Sequence, residues 1–133
     1  AVVKGGLVVH IGVEAFLKET LPRLREHETL VIVNILGESQ EEYGTRVDEM
    51  SLHEGVDGFE VNVSCPNVRK GGIAFGSDPE MLEKLVRFLR ERTEKPLIIK
   101  LSPNVTDIVD MAKRAEAGGA GVATRPAPPP APA

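Results

Sequence analysis

Apolar positions along the chain switch between two periods. Leu30 to Ile35 (LVIVNI), Gly58 to Val63 (GFEVNV) and Leu97 to Leu101 (LIIKL) are short aliphatic runs bounded by loop residues. They read as strands of a parallel sheet buried on both faces. A weaker strand candidate covers Gly121 to Thr124. Between these runs the period lengthens to that of a helix. Ser39 to His53 opens on Ser39 with Glu42 three residues on, the pattern of a capping box. Pro79 to Arg92 follows Asp78 as its N-cap and sets Met81, Leu82, Leu85, Val86 and Leu89 on one stripe. Asp107 to Ala117 follows Thr106 as its cap and stops at Gly118-Gly119. Ahead of the first strand, Val13 to Glu26 is helical, with a kink or break at Pro22.

Strand, helix, strand, helix is the order of right-handed βαβ units, which build either a doubly wound sheet or a closed barrel. A complete (β/α)8 TIM barrel takes about 250 residues. The 133 residues here supply a partial barrel of three to four βα units, or else a small open sheet. Periodicity leaves both open. The division expected is an atypical segment over 1–12, an α/β domain over 13–124 and a tail over 125–133. Ala1 to Gly12 (AVVKGGLVVHIG) gives only a weak strand reading. Arg125 to Ala133 (RPAPPPAPA) has the composition of an extended polyproline linker.

Composition narrows the partners more than the fold. Aromatic residues make up 4% of the chain and Trp is absent, so the core must be aliphatic. A formal charge of -4, with Lys and Arg scattered rather than in a block, gives no reason to expect a nucleic acid. The longest apolar run near the start, Leu7 to Val13, is interrupted by His10 and Gly12, so neither a leader nor a membrane span is expected and the cytoplasm is the default location. Cys65 is the single cysteine, which excludes an intrachain disulfide. His10, His27 and His53 are too dispersed for a metal site, so none is expected.

Candidate chemistry gathers at strand ends. Asn34, Asn62 and Lys100 each sit within two residues of the C-terminal end of an apolar strand. In parallel α/β folds that edge takes the ligand. Each residue alone has a plainer reading, with the Asn side chains satisfying loop backbone and Lys100 reaching water. Three of them at matching positions favour a site for a planar, hydrogen-bonding ligand with partial negative charge. The loop after the second strand, from Asn62 to Pro79 (NVSCPNVRKGGIAFGSDP), is long for a βα connection, usually about 2 to 6 residues, and is a lid candidate. Cys65 within it is either a small buried hydrophobe or a reactive thiol. No nearby His offers the partner of a cysteine nucleophile; the other reactive role open to a cysteine on such a loop is a general base over a flavin. The glycine fingerprints of dinucleotide and P-loop sites are absent.

The segment NVSCPNVRKGGIAFGSDP, with PLIIKLSPNVTDI after it and LVIVNILG before it, closely resembles the class 1B dihydroorotate dehydrogenases over roughly Gly12 to Gly121. Dihydropyrimidine dehydrogenase carries a related loop but usually has His where Asn67 stands. The resemblance implies a flavin enzyme on a (β/α)8 barrel that oxidises dihydroorotate to orotate with FMN in pyrimidine synthesis. It implies FMN contacts for Asn34, Asn62 and Lys100, and substrate contacts for Asn62 and Asn67. Cys65 becomes the base that takes the proton from C5 of dihydroorotate, and Lys100 the charge that stabilises the reduced, anionic flavin. An iron-sulfur and FAD subunit that uses NAD is implied as the electron-transfer partner.

The chain also departs from that family. Lys4 to Val9 (KGGLVV) lacks a substrate Asn of the family, and Arg125-Pro126 stands where the family has an Asn-Thr pair. The family's final strands, whose loops hold the FMN phosphate, have no counterpart. The chain is therefore expected to bind FMN weakly or not at all by itself. Open sheet edges and uncovered apolar faces predict a homo-oligomer or a poorly stable monomer. Two other readings compete: a non-catalytic half-barrel serving as a folding or assembly module, and a flavin reductase acting on another pyrimidine.

Overall fold

The structure, a computed structural model, describes residues 2–4, 7–9, 12–64 and 75–124. In chain order the elements are β1 (Val2–Lys4), β2 (Leu7–Val9), α1 (Val13–Ala15), a π-helical turn (Phe16–Thr20), α2 (Leu21–Leu24), β3 (Ile32–Ile35), α3 (Gln40–Ser51), β4 (Gly58–Asn62), α4 (Pro79–Arg90), β5 (Leu97–Lys100), α5 (Ile108–Gly118) and β6 (Val122–Thr124). Strands β3, β4, β5 and β6 form one parallel sheet in sequential order. The weak strand signal near the start becomes β1 and β2, an antiparallel pair in a sheet of their own.

Sequential order decides what periodicity left open. A doubly wound sheet reverses its strand order at a switch point. Here every strand neighbours its successor, and crossovers of one hand stack the helices on one face. That is a section of a (β/α)8 barrel. Burial alternates accordingly. Val33, Ile35, Phe59, Val61, Leu97 and Ile99 are sealed beneath the helices, whereas Asn34, Glu60, Asn62, Ile98 and Lys100 between them keep some exposure. The expectation of strands buried on both faces therefore fails. In a barrel the second face is the interior, covered by strands across the barrel, and four strands curve only part of the way round.

The helices form where the caps dictate. The Ser39 hydroxyl accepts from the Glu42 amide, while the Glu42 carboxylate accepts from the Glu38 amide, one residue ahead of the usual box partner. Asp78 accepts from the Glu80 and Met81 amides at the start of α4. The cap of α5 is Asp107, which accepts from the Val109 and Asp110 amides, rather than Thr106. A carboxylate at this position meets the N-terminal end of the helix dipole with a full negative charge, which a hydroxyl one residue earlier cannot match. At Pro22 the helical run continues without a break. The Leu21 amide bonds back to the Phe16 carbonyl, so the turn widens by one residue just ahead of the proline that lacks a donor.

Packing follows the predicted stripe. Leu82, Leu85, Val86 and Leu89 of α4 are fully buried, each contributing about 2 kcal/mol in transfer from water. Helix α5 lies close on α4 at Gly118, where a Cβ would stand 2.7 Å from the Val86 Cβ. Gly119 then ends α5 with φ of 109°, a left-handed conformation suited to glycine. Over this contact Glu83 receives Arg114 at 3.0 Å and Arg87 at 2.8 Å. The hydrogen bonds from Arg114 and then Arg87 hold its carboxyl below the ordinary glutamate value.

Candidate ligand face at the carboxyl ends of the strands

Register determines which polar side chains share a face. Asn34 pairs with Glu60 across β3 and β4, and Asn62 pairs with Lys100 across β4 and β5. Lys100 pairs in turn with Thr124 of β6. Paired residues of a parallel ladder point the same way, and so do residues two apart on one strand. Asn34, Glu60, Asn62, Lys100 and Thr124 therefore lie on the face opposite the helices, toward the carboxyl ends of their strands. The structure brings together the three predicted residues of this edge. Cys65 and Asn67 lie outside the described residues, as do Gly71-Gly72 and the tail from Arg125.

Local bonding gives each side chain a distinct state. The Asn34 Nδ2 donates to Glu60 Oε1 at 2.5 Å. The Asn62 Oδ1 accepts from the Ser64 amide at 3.1 Å and from the Ser64 hydroxyl at 2.8 Å, a turn that closes on its own backbone. Among the described residues, nothing bonds to the Lys100 ammonium. An ammonium, an Asn62 NH2 and the oxygen of Asn34 are thus left to face a ligand.

Two contributors escaped the reading of the sequence. Glu60 sits mid-strand, and its signal was available as a charged residue inside an otherwise apolar run. Tyr43 looked like one residue of a helix. Its hydroxyl donates to the Asn62 carbonyl at 2.7 Å, and its ring meets Phe75 edge-on with centroids 5.9 Å apart. Tyr43 thereby ties α3 to both ends of the segment between β4 and α4. Gly37 and Gly76 make this possible. A Cβ at Gly37 would stand 2.9 Å from the Tyr43 ring, and one at Gly76 only 2.1 Å from the Val63 carbonyl oxygen.

Other features place fewer demands on function. A groove of about 550 Å³ runs beside β6, lined by Leu101, Ile108, Ala112, Ala120 and Val122 among others. It lies along the open sheet edge, where Lys113, Glu116 and Thr124 join the aliphatic side chains. Among the described residues no three His, Cys, Asp or Glu side chains gather as metal ligands, and no helix is long and apolar enough to cross a membrane.

A section of a (β/α) barrel with polar side chains gathered at the carboxyl ends of its strands is the framework on which barrel proteins take their ligands. The sequence profile of the family described as dihydroorotate dehydrogenase matches residues 6–123. The chain belongs to that family. The match is wider than the Gly12 to Gly121 span of the resemblance and takes in β2. The catalytic subunit of dihydroorotate dehydrogenase B (NAD(+)) from Geobacter sp. (strain M21) is 49% identical over 111 residues, which are 84% of this chain and 36% of that protein. The proteins of the same name from Geotalea uraniireducens (strain Rf4), 50% identical over 111 residues, and from Thermoanaerobacter sp. (strain X514), 50% identical over 109 residues, are similar to the same degree. The chain spans 36% of the length of these curated relatives.

Proposed function

We propose that this chain carries part of the active site of an FMN-dependent enzyme that oxidises dihydroorotate to orotate in cytoplasmic pyrimidine synthesis. The observation that carries the reading is the register that sets Asn62 beside Lys100 on one face at one edge, with Asn34 on the neighbouring strand. The donor set fits a flavin ring, which offers carbonyl oxygens and ring nitrogens in one plane and gains negative charge as it is reduced. Asn34, Asn62 and Lys100 would hold FMN, and Asn62 and Asn67 the substrate. FMN, when bound, supplies the acceptor for the hydride. Cys65 takes the proton from C5 of dihydroorotate, the role of a general base. Lys100 contributes positive charge where electrons arrive, and Asn62 orients the reacting carbon. The family name of the relatives, a catalytic subunit, supports an electron-transfer partner, here an iron-sulfur and FAD subunit that uses NAD, and the open sheet edges support self-association.

The test is a titration of the chain with FMN up to millimolar concentration, followed by flavin fluorescence. Saturable quenching that Lys100→Ala abolishes is the expected result, with dihydroorotate-dependent reduction lost in Cys65→Ala. Quenching indifferent to Lys100 and Asn62 would sink the proposal, and no saturable quenching would make the chain by itself an inactive section of the barrel.

A further inference from the structure

The two carboxamides on the open face are held in opposite senses, and the groups that hold them are on the page. A carboxylate only accepts hydrogen bonds and a backbone amide only donates them. Glu60 therefore turns the NH2 of Asn34 toward itself, at 2.5 Å, and leaves the Asn34 oxygen as the free acceptor. Ser64 does the reverse to Asn62. Its amide and hydroxyl both donate to the Asn62 oxygen, which leaves the Asn62 NH2 as the free donor. Among the described residues nothing else bonds to either free end. Read from β3 to β5, the face presents an acceptor, a donor and an ammonium.

We propose that Glu60 is a positioning residue that fixes the polarity of Asn34, so that this face selects a planar heterocycle with a ring N–H opposite β3 and a carbonyl or anionic edge opposite β4 and β5. The inference rests on the flavin reading above and adds its specificity. A flavin ring has one such N–H, N3–H, between two carbonyls. Without Glu60 the Asn34 amide turns freely, since its two ends are nearly equal in size, and the preference for a donor is lost. Glu60 has no role as acid or base in this account. It acts through Asn34.

Two measurements on the 133-residue chain test this. The first needs no ligand: the hydrogen-bond scalar coupling between the Asn34 side-chain nitrogen and the Glu60 carboxylate carbon, read by NMR. It is expected in the wild type, and its absence in a folded chain overturns the orientation. The second compares lumiflavin with 3-methyllumiflavin, probes that lack the phosphate and differ at N3–H. The wild type is expected to prefer lumiflavin by about fivefold, the size of one neutral hydrogen bond. Glu60→Gln, whose amide donates as well as accepts and so no longer fixes which end of Asn34 is free, weakens the preference, and Glu60→Ala lowers it below about twofold with other backbone resonances unmoved. Equal preference in the wild type and Glu60→Ala overturns the proposal. If neither probe binds while the coupling is present, the flavin reading falls and the orientation of Asn34 stands.

Discussion

Lys95 lies just ahead of β5 and Lys100 is its last residue, and their surroundings have nothing in common. At the amino end of β5, the Lys95 ammonium donates to the His53 and Val56 carbonyls, each at 2.5 Å. Beside it Arg90 donates to the carbonyls of Thr93, Lys95 and Gly119. The Thr93 hydroxyl, a polar group sealed in the core, accepts from Ser51 and from the Lys95 amide. This edge is closed by its own cations. At the carboxyl end, Lys100 has no such partner among the described residues. Saturated donors stabilise loops that join strands to helices, and unsaturated ones leave capacity for a ligand. The difference separates the stability edge of a barrel from its functional edge across the length of one short strand.

The largest break in that contrast is expected from Gly76→Ala at the carboxyl edge. Its Cβ would overlap the Val63 carbonyl oxygen at 2.1 Å, backbone against backbone, and force apart the ends of the segment that carries Cys65. A loss of about 3 kcal/mol in urea unfolding is expected. Arg90→Ala comes next at about 2 kcal/mol, because carbonyls at the amino edge lose their donor. Lys95→Ala follows at about 1–2 kcal/mol for the same reason. Lys100→Ala should change stability by less than about 0.5 kcal/mol while removing flavin quenching. A loss of stability at Lys100 as large as that at Lys95 would erase the distinction between the edges.

The smallest effect lies away from both edges. Glu83 has its pKa lowered by Arg114 and Arg87, so its contribution is fully present above the ordinary glutamate value and is lost as pH falls through the depressed value of the folded state. Unfolding followed from neutral to acid should show a Glu83-dependent drop only below the ordinary carboxylate range, and Glu83→Gln should flatten it. The pair is exposed, so the amplitude is small.

Much of this was legible in the residues. Short aliphatic runs, Ser39 and Asp78 as caps, and the stripe on α4 are local properties, and each element formed within a few residues of its expected bounds. Asn34, Asn62 and Lys100 stood out because polar groups are rare at the ends of such strands. Glu60 and Tyr43 did not, because their significance depends on what lies across a strand or beneath a helix. The Thr106 cap was misjudged by one residue, a choice between adjacent polar groups that turned on which side chain reaches the first free amides.

The sequence alone determined the alternation of strands and helices, the helix starts and the family, since propensity, capping chemistry and motif spacing are written in consecutive residues. Only the tertiary structure decided that the sheet runs in sequential order with one face open, that Asn62 sits beside Lys100, and that Glu60 and Ser64 turn two like carboxamides in opposite directions. All but the Ser64 turn depend on register between strands far apart in the chain, and the hydrogen bonds that fix register are made by backbone groups common to every residue.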